Sequence, residues 1–487
     1  MLTREQFQTL YEQGPDAVFE LLWNLDNTNL ALQEQMLSLT ARLKQLEDRL
    51  AKDSHNSNKP PSSDGLGKKP APKSLRQKSG RKPGAQTGHP GRNLAFAEHP
   101  DQIMEHTPTQ CACCGRDLKA CEGDVDERRQ VFDLPPLRLL VTEHRSLRKV
   151  CPDCGHPNAA TFPEGVTQPV QYGARVKALG VYLSCYQLLP YARIARLFAD
   201  LFDAALSPGT LFAAQQDASL SLEGALTDIK KGLLGANVVD FDETGLRVLG
   251  SLHWLHSAST PRLTYYDWHN KRGKAGMDKA GILAHFGGIA VHDGWDSYRH
   301  YACSHALCNA HHLRELTALY QQGGQEWAKS LRSLLVAIKK AVEKAKEQNR
   351  SCLHPLLEAR FEGRYHQLLK EGFATNPPPE PIPGKRGRAK QSAARNLLFR
   401  LQRDACTTLR FMYDFRVPFD NNLAERDIRM MKVQQKVSGC FRSTEGADAF
   451  CRIRSYLSTM KKQGQQILAA LEHVFRGTPI MPLETAE

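Results

Sequence analysis

Three acidic residues carry the chemistry this chain is equipped to perform. Asp242 stands in VVDFDETGLRV, where Val239 and Phe241 alternate with Asp240 and Asp242 as they would along a strand. Asp293 closes a second short apolar run, GGIAVHDGW. Glu425 opens the helical pattern NNLAERDIRMMKVQQK, one face of which repeats Glu425, Arg429, Lys432 and Lys436. Two carboxylates at strand ends and a third on a helix, among basic residues, are what two magnesium ions and a phosphate backbone require. Taken singly, each residue fits another reading. Strand-end aspartates often lead into a solvated turn. Asn422 and Glu425 have the spacing of a capping box, and Glu425 with Arg429 that of an ordinary i,i+4 ion pair. The order strand, strand, helix inside a basic chain favours the metal reading.

A second constellation is built of thiols. Cys111 and Cys114 stand in CACCG, Cys151 and Cys154 in CPDCG, and each pair runs into a glycine that permits a tight turn around an ion. The segment between them, RRQVFDLPPLRLLVTEHRSLRKV, reads as strands. Four thiolates so spaced predict a zinc ribbon with a closed structural site over residues 99–165, leaving Arg128, Arg129, Arg145, Arg148 and Lys149 for DNA. Cys113 lies inside the first knuckle as a substitute ligand, and Cys121 reads as a bystander. Cys308 and His311 also have ligand-like spacing with Cys303 nearby, which leaves a second zinc open. The preferred reading makes Cys308 a core residue and His311 a group that orients a ligand or contacts phosphate.

The elements that must position these groups follow from pattern. Strands near 237–247, 250–257 and 262–268, a helix near 274–285, a strand ending at Asp293 and another near 304–310 give the order of an RNase H-like α/β layer fold. Such a sheet brings Asp242 and Asp293 together. From Asp293 to Glu425 is 132 residues, more than one connection needs, so a helical insertion is expected over 321–412. The first core part then spans 236–320 and the second, with the catalytic helix, 413–476, before a tail at 477–487. Residues 166–235 read as helical, and YARIARLFADLFDAALSPGTLFAAQQDAS within them resembles a helix-turn-helix whose second helix starts at Ser207 and Pro208, although any pair of short helices joined by a polar turn has the same pattern.

Composition bounds the partners. A chain of 487 residues exceeds one compact core, and a net charge of +13 favours a polyanion. No apolar run reaches the length of a membrane span, and the start lacks the apolar core of a signal peptide. Thirteen cysteines, an odd number, point to reduced thiols or metal ligation, hence a reducing bacterial cytoplasm and the nucleoid. In residues 1–52, Leu22, Asn29, Met36, Leu43 and Leu50 at a, with Leu25, Leu32, Leu39 and Leu46 at d, form a heptad seam that predicts self-association through a coiled coil. Residues 53–98 read as a flexible linker. Nine Lys or Arg against the single Asp64 between Lys59 and Arg92, Arg81 and Lys82 among them, suit it to tracking phosphates.

The motifs together resemble the transposases of the Insertion Sequence 66 family. They are PPSSDG at 60–65, GRKPGAQTGHPG at 80–91, both cysteine knuckles, DETGLRV at 242–248, DGWDSY at 293–298, CNAHHLREL at 308–316 and DNNLAERDIR at 420–429. The resemblance implies a zipper, a zinc ribbon and a DDE core on an RNase H-like fold, with Asp242, Asp293 and Glu425 as the metal-binding triad. Asp240 and Glu243 are the neighbours that compete for the place of Asp242. It further implies two Mg²⁺ ions, replaceable by Mn²⁺, DNA ends and target DNA as substrates, and companion proteins of the same element. Arg314, Arg429, Lys432, Lys436, His311, Arg81 and Lys82 are the residues expected on DNA. The chain departs from the family's pattern at Leu313, before Arg314, and at QKV, residues 435–437. Two other readings remain beside it: a dimeric zinc-containing DNA-binding regulator, and an RNase H-like nuclease that cuts without joining.

Overall fold

The computed structural model describes residues 4–50, 94–379 and 391–483. Arg81 and Lys82 lie outside the described residues, as does most of the basic linker. The chain divides into two compact units, residues 71–160 with 196–205, and the remainder.

In the larger unit, α1 (Arg4–Glu12) and α2 (Pro15–Leu50) are separated by Gly14 at φ +104°. Helix α2 runs unbroken for 36 residues. Along it Leu22, Leu25, Leu32, Met36, Leu39, Leu43 and Leu46 are 47–67% exposed, an apolar seam with no covering face.

In the smaller unit, β1 (Arg148–Val150) and β2 (Pro157–Ala159) form an antiparallel hairpin around the second knuckle. The strands expected between the knuckles reduce to β1: residues 122–147 carry no strand. Val131, Leu140 and Val141 are 87–90% exposed there, so the alternating pattern finds no face to bury against. Gln130 steadies the segment by accepting from the Ala97 backbone N–H at 2.7 Å and donating to its carbonyl at 3.0 Å.

The rest of the larger unit is mixed α/β. Helices α3 (Ala174–Val181), continued by a π-turn at Tyr182–Tyr186, α4 (Tyr191–Phe202), whose residues from Arg196 on belong to the smaller unit, α5 (Pro208–Ser221) and α6 (Glu223–Leu234) precede the sheet. Ser207 caps α5 by accepting from the Thr210 N–H, with Pro208 in the first turn, as the sequence predicts. Helix α5 packs against α3, α14 (Thr444–Lys462) and α15 (Ile467–Phe475), with Leu211, Ala214 and Ala218 buried.

Five strands follow: β3 (Val238–Val248), β4 (Ser251–Ser259), β5 (Thr264–His269), β6 (Ile289–His292) and β7 (Ser304–Leu307), in the order β5-β4-β3-β6-β7. The first three form an antiparallel meander, and β6 and β7 run parallel to β3 and to each other. Leu249 and Gly250, at φ +51° and +77°, make the two-residue turn from β3 to β4. The helix expected over 274–285 is α7 (Lys274–Ala280), stopped by Gly281 at φ +69°, and a 3₁₀ turn at Leu283–His285.

Both faces of the sheet are covered. On β5, Thr264 bonds Asp427 of α13 (Asn422–Val437), whereas Tyr265 lies under Lys230 of α6 and Asp267 bonds Lys279 of α7. The alternation of a strand thus delivers successive side chains to opposite helical layers. Helices α8 (Asn309–Gly323), α9 (Glu326–Glu347), α10 (Pro355–Thr375), α11 (Ala393–Arg403) and α12 (Ala405–Tyr413) occupy the region between β7 and α13. Their core, including Trp327, Leu331, Tyr365 and Leu398, is continuous with Ile289, Val291 and Ala306 of β6 and β7.

Candidate active site

Strands β3 and β6 pair from Val238 with Ile289 to Asp240 with Val291. Two residues further, the same register sets Asp242 beside Asp293, immediately after β6 ends. Asp242 Oδ1 accepts the Glu243 N–H at 2.9 Å, and Asp293 Oδ1 accepts the Trp295 N–H at 2.8 Å in an Asx turn. Each bond fixes the direction of its carboxyl.

Glu425 arrives from the first turn of α13. The residue before that helix is Asn421, and its side chain does not cap: Nδ2 donates to the Phe241 carbonyl at 2.8 Å. The capping box expected of Asn422 and Glu425 is therefore absent, because Asn422 is already helical. The Asn421 N–H donates to Cys308 Sγ at 3.2 Å. Beside it, the Asn309 N–H donates to the Phe419 carbonyl at 3.1 Å and Asn309 Nδ2 to the Thr408 carbonyl at 2.9 Å. Two buried asparagines thus tie the start of α13 to β3 at the residue before Asp242 and to the start of α8.

The three carboxyls share one field. Burial raises Asp242 well above the usual carboxylate range, and the charges of Glu243, Asp293 and Glu425 raise it further. Burial likewise raises Glu425, opposed by Arg314 and Arg429 and reinforced by Asp420 and Asp293. Glu425 Oε1 lies 3.9 Å from His311 Nδ1 and 3.7 Å from the Arg314 guanidinium, both beyond hydrogen-bond length. Glu425 Oε1 and His311 Nδ1 are buried without a hydrogen-bond partner.

The neighbours of Asp242 are otherwise engaged. Glu243 is fully buried, bonded to Arg272 at 2.7 Å and to the Tyr298 hydroxyl at 2.6 Å, although it too feels the charge of Asp293. Arg272 lies between the rings of Trp254 and Trp295, 5.0 and 4.2 Å from their centroids. Asp240 points toward Lys462 and Asp427, and burial pushes it up to about 7. Asp427 takes the Ser259 and Thr264 hydroxyls and Lys462, which joins α13 to the sheet and to α14.

Of the residues expected on DNA, Arg429 and Lys436 are exposed on α13. Lys432 is half-buried and donates to the Gly245 carbonyl at 3.0 Å, so it braces α13 on β3. Arg314 and His311 face Glu425. Sequence reading missed Asn309, Asn421 and the Glu243, Arg272, Tyr298 group. Only the paired asparagines at 421–422 signalled the first set, and they read equally well as a cap.

At the knuckles, Gly115 and Gly155 take φ +74° and +71°, and each donates to the carbonyl of the first cysteine, Cys111 or Cys151, at 2.9 Å. Backbone N–H groups of Cys114 and Cys113 lower the Cys111 thiol, and those of Cys154 and Asp153 lower Cys151. Turns that favour thiolate suit zinc. The two knuckles do not converge on a cluster of three or more ligand atoms: among the described residues that arrangement occurs at Cys308, His311 and Glu425.

Three family models match the chain, and two of them describe transposases. The Transposase IS66 family matches residues 169–449, and the zinc-finger binding domain of transposase IS66 matches residues 108–155. The chain belongs to the IS66 transposase family. A family of unknown function matches residues 12–95. No curated protein matches the sequence. The zinc-finger match supports structural Zn²⁺. Among the described residues, no helix is long and apolar enough to cross a membrane.

Proposed function

We propose that the chain is a DDE transposase that cleaves DNA at the ends of its element and transfers the freed strand to a target, with Asp242, Asp293 and Glu425 as its catalytic carboxylates. The observation that carries this reading is the convergence of three carboxyls, from β3, the end of β6 and α13, into one half-buried and mutually repelling set. Such a set costs stability unless a cation neutralises it, and the all-oxygen donors suit Mg²⁺ or Mn²⁺. The strand order, an antiparallel meander followed by two parallel strands beyond β3, supports an RNase H-like core.

When bound, two metal ions would supply an activated water and then an activated 3′-hydroxyl for in-line attack on phosphorus. The protein's own share is positioning and charge. Asn421 and Asn309 hold α13 so that Glu425 faces the aspartates, and the Glu243, Arg272 and Tyr298 group holds the wall beside Asp242. Arg429 and Lys436 present positive charge to the backbone of DNA. The zinc module and the basic linker add contacts that release counterions. The seam on α2 joins two protomers, which suits the pairing of two DNA ends.

A regulator without chemistry would carry this repelling set at a cost and to no purpose. Nicking and joining of a supercoiled plasmid bearing the gene's flanking DNA tests the proposal. Mg²⁺-dependent activity should fall at least about 10³-fold in Asp242→Asn and Asp293→Asn, as expected when a metal-binding carboxylate is lost. DNA binding and melting temperature should persist. Unchanged activity in either variant removes the site assignment, and cutting without joining leaves a nuclease.

A further inference from the structure

Cys308, His311 and Glu425 place a sulfur, a ring nitrogen and a carboxylate oxygen within 4.8 Å of one another. The three come from two elements: Cys308 precedes α8, His311 lies in its first turn three residues on, and Glu425 lies on α13. Two of the three ligand atoms, His311 Nδ1 and Glu425 Oε1, are the buried atoms without hydrogen bonds, and they lie 3.9 Å apart. Ligands of a tetrahedral zinc, at roughly 2.0–2.3 Å from the ion, stand about 3.3–3.8 Å from each other. A small contraction of this cluster therefore closes on an ion.

The donor set selects the ion. Magnesium takes oxygen, whereas thiolate with imidazole and carboxylate is a zinc combination, with a fourth position left for water. A thiolate, a neutral imidazole and a carboxylate cancel the charge of a divalent cation, the Cys308 proton passing to solvent as the metal binds. Burial pushes the Cys308 thiol up to about 12, and the Asn421 N–H donated to Sγ opposes that shift, so the metal itself must displace the proton. Arg314, 3.7 Å from Glu425 Oε1, must swing away.

We propose that Cys308, His311 and Glu425 form a second transition-metal site that takes zinc, and that zinc held there withdraws Glu425 from the catalytic carboxylates. Zinc is then an antagonist of magnesium-dependent cleavage. The antagonism rests on the role proposed for Glu425, while the metal site itself does not.

The test uses the full chain loaded with Co²⁺, whose thiolate charge-transfer and ligand-field absorption report a sulfur-containing four-coordinate site. Metal content is counted in parallel. The parent should bind one ion per chain more than either His311→Ala or Cys308→Ser, with the variants keeping their circular dichroism and melting temperature. The additional ion should add a distinct cobalt spectrum. Equal metal content and equal spectra in all three proteins overturn the site.

In the plasmid assay at fixed Mg²⁺, micromolar zinc should slow the parent more than about tenfold. Each variant should lose less than about threefold relative to its own zinc-free rate. Zinc that binds at Cys308, His311 and Glu425 without slowing cleavage overturns the antagonism. A protein that shows no magnesium-dependent cleavage even without zinc overturns the role of Glu425, and with it the antagonism, while the cobalt count still decides the site.

Discussion

Asn421 does more for the candidate site than its place beside a helix suggests. It spends its amide on the Phe241 carbonyl and its N–H on Cys308 Sγ, so one residue sets both the height and the direction of Glu425. In Asn421→Ala a buried carbonyl loses its donor, which costs about 1–3 kcal/mol. The expected result is a modestly lower melting temperature but a nicking rate reduced at least tenfold, read by thermal denaturation and the plasmid assay. A drop in stability with unchanged rate would reduce Asn421 to a structural bond. His256 supplies a second test. Burial lowers it to about 4, and its Nε2 is buried without a partner. The folded state therefore binds this proton less readily than the unfolded chain does. The contribution is fully present above pH 6.5 and is lost as pH falls toward 4, on the order of 2–3 kcal/mol. His256→Gln should flatten stability against pH in that window, measured by urea denaturation. Neither role was legible beforehand. A carboxylate among basic residues advertises chemistry, but an asparagine that bonds a distant backbone carbonyl leaves no periodic trace.

At the scale of elements, the meander was the most readable part. Alternation fixed β3 to within one residue, because Val239 and Phe241 must face one layer and Asp240 and Asp242 the other. The same alternation misled between the knuckles, where no second strand or helix supplies a face. Close packing between elements was invisible. Gly276 of α7 lies where a Cβ would stand 2.4 Å from the Lys271 carbonyl oxygen and 2.5 Å from His256 Nε2. Gly276→Ala therefore forces α7 off β4 and should cost roughly 1–3 kcal/mol by overpacking. Calorimetry should show the loss, although alanine favours an isolated helix. A neutral or stabilising result would mean that α7 moves freely against the sheet. The capping pattern at Asn422 and Glu425 failed for a related reason: the helix begins one residue earlier than the box requires, and the residue at the cap, Asn421, gives its side chain to the Phe241 carbonyl 180 residues away.

For the whole molecule, the exposed seam on α2 makes a concentration-dependent prediction. Leu32→Asp combined with Leu39→Asp places charge at two adjacent d positions and should convert a dimer to a monomer in sedimentation, with the carboxylate site unaffected in its fold. A parent that is monomeric throughout would remove self-association by this route. Chelation of zinc should unfold the knuckle module and weaken DNA binding while leaving the melting of the mixed sheet in place. A single transition that shifts as a whole on chelation would contradict that separation.

The asparagine ties carry a further consequence for biosynthesis. Asp242 and Glu425 are 183 residues apart in sequence, and five helices must pack on β6 and β7 before Asn421 can reach the Phe241 carbonyl. Contacts of such sequence separation form late. A nascent or truncated product that stops before α13 holds the two aspartates and nothing to complete them. Fragments that end before α13 should be inert in the plasmid assay, in contrast to the full chain. The carboxylate set proposed for cleavage is thus completed only once α13 has emerged from the ribosome.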